Sequence, residues 1–295
     1  LADLYPAHDA REVGEDLKKA RAQATKFRKA YQGRVAELNG DELALAIHAY
    51  EKLEDILGRL ASFAQLLYAE DMTNPAFAQF YQNTTEAVTA ISSDTLFFTL
   101  AINKLGDKQI KEMLKLSKKL RHYKPWLRDI RAYRPHQLPD KLEQMLHEKT
   151  VTGHAAWSRL FDETIAQMRF TLGNKKLTSA EILDLLSSRD ATIRKKAAKV
   201  MGDELGRQSH VFTLVTNTLA KDKEIEDRWR GFAAPISSRN LANQVEDEVV
   251  EALVVAVKES YSRLSHRYYT MKAKWFGAKK LNYWDRNAPL PWDDE

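Results

Sequence analysis

The chain of 295 residues has no cysteine. That excludes disulfides, thiolate metal sites and a cysteine nucleophile. Glycine and proline are scarce, at 11 and 8 residues, well below the roughly 12% of an average soluble protein. With few breakers and abundant Ala, Leu, Lys and Glu, the chain favours long helices. No apolar run approaches the roughly 20 residues of a membrane helix, and no charged-then-apolar signal segment is visible. The expectation is therefore a protein with no membrane partner, cytoplasmic by default, although the opening residue Leu1 leaves a natural start upstream open. No G-x-S-x-G, P-loop, dinucleotide fingerprint or EF-hand loop is present. Nothing in the spacing points to a Ser-His-Asp triad.

The chain is rich in charge, unevenly placed. The net charge is +5. Between Lys104 and Arg134, eleven Lys or Arg stand against Asp107, Glu112 and Asp129, so the rest of the chain is slightly acidic. Lys108, Lys111, Lys115 and Lys118 recur at steps of three and four, a basic stripe opposite Ile110, Met113 and Leu120. Such a stripe is commonly the solvated face of an amphipathic helix. It would also suit phosphate or nucleic acid, or draw acidic peptides toward a cleft. Aromatics are not interleaved with the lysines, which counts against stacked single strands, and no nucleic-acid partner is expected.

Periodicity outlines the elements. Leu17, Ala20, Ala24, Phe27 and Tyr31 predict a helix over 10–31. Asn39-Gly40 breaks the chain, and Asp41 can cap the next helix. Leu43, Ile47, Tyr50, Leu57, Leu60, Ala64 and Leu67 give that helix a core face. Asn74-Pro75 starts a third helix, whose apolar stripe runs from Phe77 to Phe98. Pro125, Pro135 and Pro139 divide the next stretch into short helices. Met168, Phe170 and Leu172 alternate ahead of Gly173-Asn174, a hairpin signal, and Thr178 with Glu181 forms a capping box. Two long helices are expected over about 190–222 and 245–275. The fold class is all-α: long antiparallel helices in a bundle-like array with one small β-hairpin near 168–177. The boundary is placed near Leu105, giving a bundle over 1–105 and a second helical region over 106–295.

Three further features weigh structure against function. Asp222, Glu224, Glu226 and Asp227 are mixed with Lys221, Lys223 and Arg228, too polar a setting to split carboxylate pKa values for acid–base work. Val249 to Val257 reads VVEALVVAV, with eight apolar residues of nine. A helix so apolar on nearly every face is normally buried. Tyr268, Tyr269, Lys272 and Trp275 lie on the last helix. Aromatic stripes are usually core, but tyrosine and tryptophan, with an apolar body and a polar tip, also suit a cleft wall.

Several of these stretches resemble one family in the family's own order. They are Leu1-Ala2-Asp3-Leu4-Tyr5-Pro6, then Tyr133 to Trp157 with its His-x-Leu helix and Gly153, Arg169 to Leu186, and the run DATIRKKAA from Asp190. Last comes the helix from Leu264 that stops at Gly277 and leads to Tyr283-Trp284-Asp285 and Ala288-Pro289-Leu290. Together they resemble the N-terminal half of an oligoendopeptidase F, a zinc metallopeptidase of the thimet-oligopeptidase type. The resemblance implies a parent that hydrolyses oligopeptide substrates with zinc as cofactor, and a C-terminal catalytic half as partner. In such enzymes zinc sits on H-E-x-x-H, two histidines one helical turn apart. Here the only His-Glu pair is His147-Glu148, and the residue four beyond His147 is Val151, which cannot ligate. No catalytic or metal residue carries over, and no metal is expected on this chain. The expectation is an inactive part that forms one wall of a substrate channel, with Tyr268, Tyr269, Lys272 and Trp275 on that wall, and that self-associates through apolar surface left open. The alternative is a stand-alone helical interaction module.

Overall fold

The computed structural model describes residues 1–292. They form fifteen helices of five residues or more and one two-stranded hairpin. Two compact units emerge, Leu1–Ser158 with Lys221–Gln244, and Arg159–Ala220 with the stretch from Val245 on.

The first unit is built on α1 (Arg11–Tyr31), α2 (Gly40–Glu70) and α3 (Pro75–Ser93). Their apolar stripes meet in two layers. Val13 near the start of α1 packs with Leu60, Phe63 and Leu67 near the end of α2. Phe27, near the end of α1, packs with Leu43 and Ile47 at the start of α2. The two helices therefore run antiparallel. Tyr68 stacks on Tyr81 with ring centroids 4.8 Å apart, so α3 starts beside the end of α2 and runs back along it. Leu60 and Leu43 are wholly buried, and each such leucine stabilises the fold by about 2–5 kcal/mol over alanine.

The next five helices are short: α4 (Phe97–Lys104), α5 (Asp107–Leu116), α6 (Lys118–His122), α7 (Lys124–Ala132) and α8 (Asp140–Lys149). Phe98, Ile102, Leu105, Ile110, Met113, Leu120 and Leu127 join Phe27, Leu43 and Ile47 in one core, so packing is continuous across Leu105. The segment 221–244 is tied to this unit by Arg230, whose guanidinium grips both Glu143 oxygens at 2.8 and 3.0 Å. His136 Nδ1 lies 2.9 Å from the Arg230 carbonyl, and its ring stacks on Phe232.

The second unit holds most of α9 (His154–Gln167), the hairpin β1 (Phe170–Leu172) and β2 (Lys175–Leu177), α10 (Ser179–Asp184) and α11 (Ala191–Arg207). It also takes the first part of α12 (Ser209–Arg230). After α13 (Ser237–Ala242), which belongs to the first unit, the second unit takes α14 (Asp247–Ser260) and α15 (Ser265–Trp275). Phe170 pairs with Leu177 and Leu172 with Lys175, around a turn in which Gly173 has φ +62°. The core is small: Met168, Phe170, Ile182 and Ala197, backed by Leu185, Val200 and Phe212.

The mostly-α class and the single hairpin agree with the sequence, as does the Thr178–Glu181 capping box. Other details differ. Asn39, not Asp41, caps α2, accepting from the amides of Asp41 and Glu42 while Glu42 reaches back to the Asn39 amide. Asp41 instead receives a short hydrogen bond from Ser117. The third helix stops at Ser93, because Ser92, Ser93 and Thr95 turn their hydroxyls onto nearby carbonyls and compete with the helical ladder. The expected helix over 190–222 breaks at Gln208, just past Gly202 and Gly206, both weak helix formers. The last long helix is interrupted at 261–264. There the His266 amide reaches back five residues to the Tyr261 carbonyl at 2.9 Å, a local widening of the helix.

Gly40 marks a close approach. A Cβ there would stand 2.8 Å from Ser117 Cβ and 2.9 Å from the Met113 carbonyl oxygen. Both belong to the α5–α6 junction, so nothing flexible can yield. Gly40→Ala is expected to destabilise the chain by about 1–3 kcal/mol through overpacking, read by denaturant unfolding. An unchanged midpoint would mean that the junction gives way.

Candidate functional site

Among the residues singled out from sequence, His147 is occupied structurally: its Nε2 lies 2.8 Å from Ser92 Oγ on α3, and Ser92 in turn donates to the Thr89 carbonyl at 3.1 Å. The His147 ring is thereby tied to α3. Glu148 accepts from Gln144. Among the described residues, no three His, Asp or Glu side chains stand together as a metal ion would need. The described residues therefore offer no three-ligand set of the kind zinc takes.

Lys108, Lys111, Lys115 and Lys118 are all exposed, while Ile110, Met113 and Leu120 between them are buried. Much of the surrounding positive charge is committed to internal bonds. Arg131 donates to the carbonyls of Ile102 and Leu105 and to Asp107. Arg121 closes the end of α5 through the carbonyls of Leu114 and Lys115. Lys104 pairs with Asp140 at 2.6 Å. The hydrogen bond from Arg131 holds the Asp107 carboxyl below its ordinary range despite partial desolvation, with Arg134 and Lys111 adding to the pull. The four lysines make a solvated face.

The last helix and its exit carry the most organised geometry. Tyr268 and Tyr269 are partly exposed and meet edge-on at 5.3 Å, and Trp275 meets Trp292 at 5.1 Å. Lys272 does not join them on a surface. It is 3% exposed, and its ammonium donates to the carbonyls of Arg286 at 2.9 Å and Ala288 at 2.7 Å. This lysine holds the exit segment and is closed to a ligand. α15 ends in a glycine cap. Gly277 has φ +66°, its amide bonds to the Lys274 carbonyl, and the Ala278 amide reaches back to Ala273. That pair of bonds requires the left-handed conformation glycine adopts freely.

Beyond the cap, Asp285 meets Arg194 of α11. Arg194 is 2% exposed. Its Nε and Nη2 reach one Asp285 oxygen at 3.2 and 2.6 Å, and Nη1 bonds the carbonyls of Ser188 and Arg189. Asn282 donates to the other Asp285 oxygen at 3.1 Å. Burial alone would raise the Asp285 pKa. The hydrogen bonds from Arg194 and Asn282, with the guanidinium charge, outweigh it and hold the carboxyl low. Lys195 adds a cation–π contact to Trp284 at 5.6 Å. Both partners lie in stretches that sequence picks out, the DATIRKKAA run and the Tyr-Trp-Asp loop, but nothing in the spacing joins them. Nor does the sequence reveal the space that the pinned loop frames: a hollow of about 770 Å³ lined by Tyr269, Lys279, Lys280, Asn282, Tyr283 and Arg286, among others.

A further exposed feature is α14. Val249, Leu253, Val254, Val255 and Val257 stand 37–64% exposed, and no residue of the helix is buried. The expectation that a run this apolar is buried is not met among the described residues.

Comparison with known proteins gives the same outline. Residues 102–170 match the family model described as Oligopeptidase F. The chain is 22% identical over 298 residues to oligopeptidase PepF of Bacillus subtilis, covering 98% of this chain and 43% of that protein. It is 24% identical to the group B oligopeptidase PepB of Streptococcus agalactiae, covering 79% of this chain and 40% of that one. The fold matches the crystal structure of oligoendopeptidase-F from Enterococcus faecium with a TM-score of 0.80 at 20% identity, over 94% of this chain and 53% of that one. It matches PZ peptidase A, solved with an inhibitor, with a TM-score of 0.67 at 16% identity. The chain is thus similar in sequence to oligopeptidases of this type and shares the fold of an oligoendopeptidase F N-terminal region, and it spans less than half the length of the curated relatives it matches.

The Arg194–Asp285 pair yields a stability prediction. Arg194→Ala strands a buried carboxylate, and a loss of about 3–5 kcal/mol is expected. A double replacement by leucine, which removes both charges, is expected to recover most of it. Because the folded Asp285 pKa lies below the unfolded value of about 3.9, its contribution is complete above that value and fades as pH falls through the lower folded pKa. The gap between wild type and Asp285→Asn should therefore be full at pH 7 and shrink in acid. A gap independent of pH between 7 and 2 would show that the charge of Asp285 contributes nothing.

Proposed function

We propose that this chain is the non-catalytic N-terminal part of a zinc-dependent oligopeptide endopeptidase and that it forms one wall of the substrate channel. One observation carries the proposal: 98% of the chain aligns with 43% of an oligopeptidase. The share of the relative left unmatched is where we place the zinc ligands and the general base. When bound, the zinc would activate a water and polarise the scissile carbonyl. This chain's residues do something else: they shape the space a peptide enters. Tyr268 and Tyr269, exposed on α15, suit extended peptide. Lys272 has no place on that wall, since its ammonium is spent on backbone carbonyls.

The apolar helix α14 supports the same reading. Fully burying a valine or leucine stabilises by roughly 1.5–3 kcal/mol. A helix that exposes five of them is suited to a covering surface, which we assign to the catalytic half of the parent.

The test has two parts. The reading frame beyond Glu295 is expected to continue into H-E-x-x-H, and the isolated chain is expected to leave a quenched fluorescent oligopeptide uncut with or without added zinc. Zinc-dependent cleavage by contaminant-free chain would overturn the proposal. A stop codon directly after Glu295 would favour the interaction module.

The exposed helix gives a second prediction. The isolated chain should bind a hydrophobic dye and self-associate. Leu253→Glu with Val257→Glu should reduce both while shifting stability by less than about 0.5 kcal/mol per site. A monomer that ignores the dye would show that α14 is covered in solution.

A further inference from the structure

The stretch Tyr269 to Arg286 carries Lys272, Lys274, Lys279, Lys280 and Arg286 against one acid, Asp285. That acid is already committed, one oxygen to Arg194 and the other to Asn282. The hollow beside it is lined by Lys279, Lys280 and Arg286, all exposed. None of the three forms an ion pair within 4 Å among the described residues. Next to Ala273 in the hollow's wall, Lys272 is buried with a positive charge whose described hydrogen bonds go to carbonyls, not to a carboxylate. Cations that no described carboxylate pairs with raise the positive potential of the hollow they line. The loop bearing them is fixed by the Gly277 cap, the Lys272 clamp and the Arg194–Asp285 pair, so little ordering is required when a ligand binds.

The remaining lining narrows the ligand. Tyr269, Leu281 and Tyr283 add apolar area, and Tyr283 is 72% exposed on the edge of Trp284. A bare inorganic ion uses none of that surface. A peptide with acidic side chains uses both parts, its carboxylates on Lys279, Lys280 and Arg286 and its backbone and apolar groups against the tyrosines. We propose that this hollow is a binding subsite for the acidic segment of an oligopeptide. The choice of a peptide rests on the function proposed above, whereas the preference for negative charge rests on the cations alone.

The experiment is fluorescence anisotropy on the whole 295-residue chain with a labelled octapeptide rich in Glu and Asp, against its Gln and Asn counterpart. The acidic peptide is expected to bind at least about tenfold tighter, with affinity that weakens as salt rises. The triple variant Lys279→Gln, Lys280→Gln, Arg286→Gln should lose that preference with an unchanged circular dichroism spectrum. All three side chains are exposed, and the Arg286 carbonyl that holds Lys272 is retained. A control variant with Lys18, Arg21, Lys26 and Lys29 changed to Gln, on the exposed face of α1, should keep the preference. Equal binding of the two peptides would overturn the proposal, as would a triple variant that binds like wild type or a loss confined to the α1 variant. Inorganic phosphate that displaces the peptide as effectively per charge as unlabelled acidic peptide would also overturn it, by showing a general anion hollow. An in-frame stop after Glu295 would sink the peptidase reading without altering these binding curves, so the two fail separately.

Discussion

The buried contact between Arg194 and Asp285 organises the second unit. Taking a guanidinium and a carboxylate out of water costs several kcal/mol per ion, and the cost is offset only where the geometry satisfies both groups. Here it does. All three Arg194 nitrogens are bonded, two to Asp285 and one to the carbonyls of Ser188 and Arg189, and Asn282 completes the carboxylate. The pair joins residues 91 apart in sequence. It sets the exit segment against the start of α11, whose first amides are capped by Asp190. The rest of the loop hangs from that anchor. Gly277 turns the chain, Lys272 fastens the Arg286 and Ala288 carbonyls, and Lys195 lies against the Trp284 ring. Without the pair, the loop that carries Lys279, Lys280 and Arg286 would lose its tie to α11.

The features legible in the sequence were those that local chemistry decides. The hairpin appears where Phe170 and Leu172 alternate ahead of Gly173-Asn174, and α10 begins where Thr178 and Glu181 cap each other. The helix breaks at Asp94–Leu96, Gln208 and Tyr261–Leu264 were harder to see. No proline or glycine stands in those intervals, and the cause lies in hydroxyl competition, glycines a few residues upstream or a widened turn. The candidate site was less legible still. Arg194 and Asp285 each sat in a recognised stretch, but spacing along the chain cannot reveal a contact across 91 residues. Lys272 shared a helix stripe with Tyr268 and Trp275, and lysine reads as a surface residue. Only the arrival of the Arg286 and Ala288 carbonyls makes its burial tolerable.

α14 exposes the limit of reading burial from hydrophobicity. Its run of valines obeys the pattern of a core helix, yet its residues face solvent. A helix of this length is marginal by itself in water, and acidic residues at its start favour it only modestly through the helix dipole. The preference encoded in VVEALVVAV is for an apolar environment rather than for a helix as such. The exposure of α14 is what the proposal of a covering catalytic half accounts for.

The two basic regions show why counting charges is a poor guide to function. Between Lys104 and Arg134 the positive charge is denser, but much of it is structural. Arg131 and Arg121 close helix ends and Lys104 pairs across to α8. Lys108, Lys111, Lys115 and Lys118 then look outward from exposed positions, where water and salt screen them. In the stretch Tyr269 to Arg286 there are fewer cations, its one acid is bound by Arg194 and Asn282, and Lys279, Lys280 and Arg286 line a hollow. A positive field is strengthened by concavity, and among the described residues Lys279, Lys280 and Arg286 line a hollow without forming an ion pair within 4 Å. The preference we propose for acidic peptide is placed on the smaller cluster because its cations line a hollow.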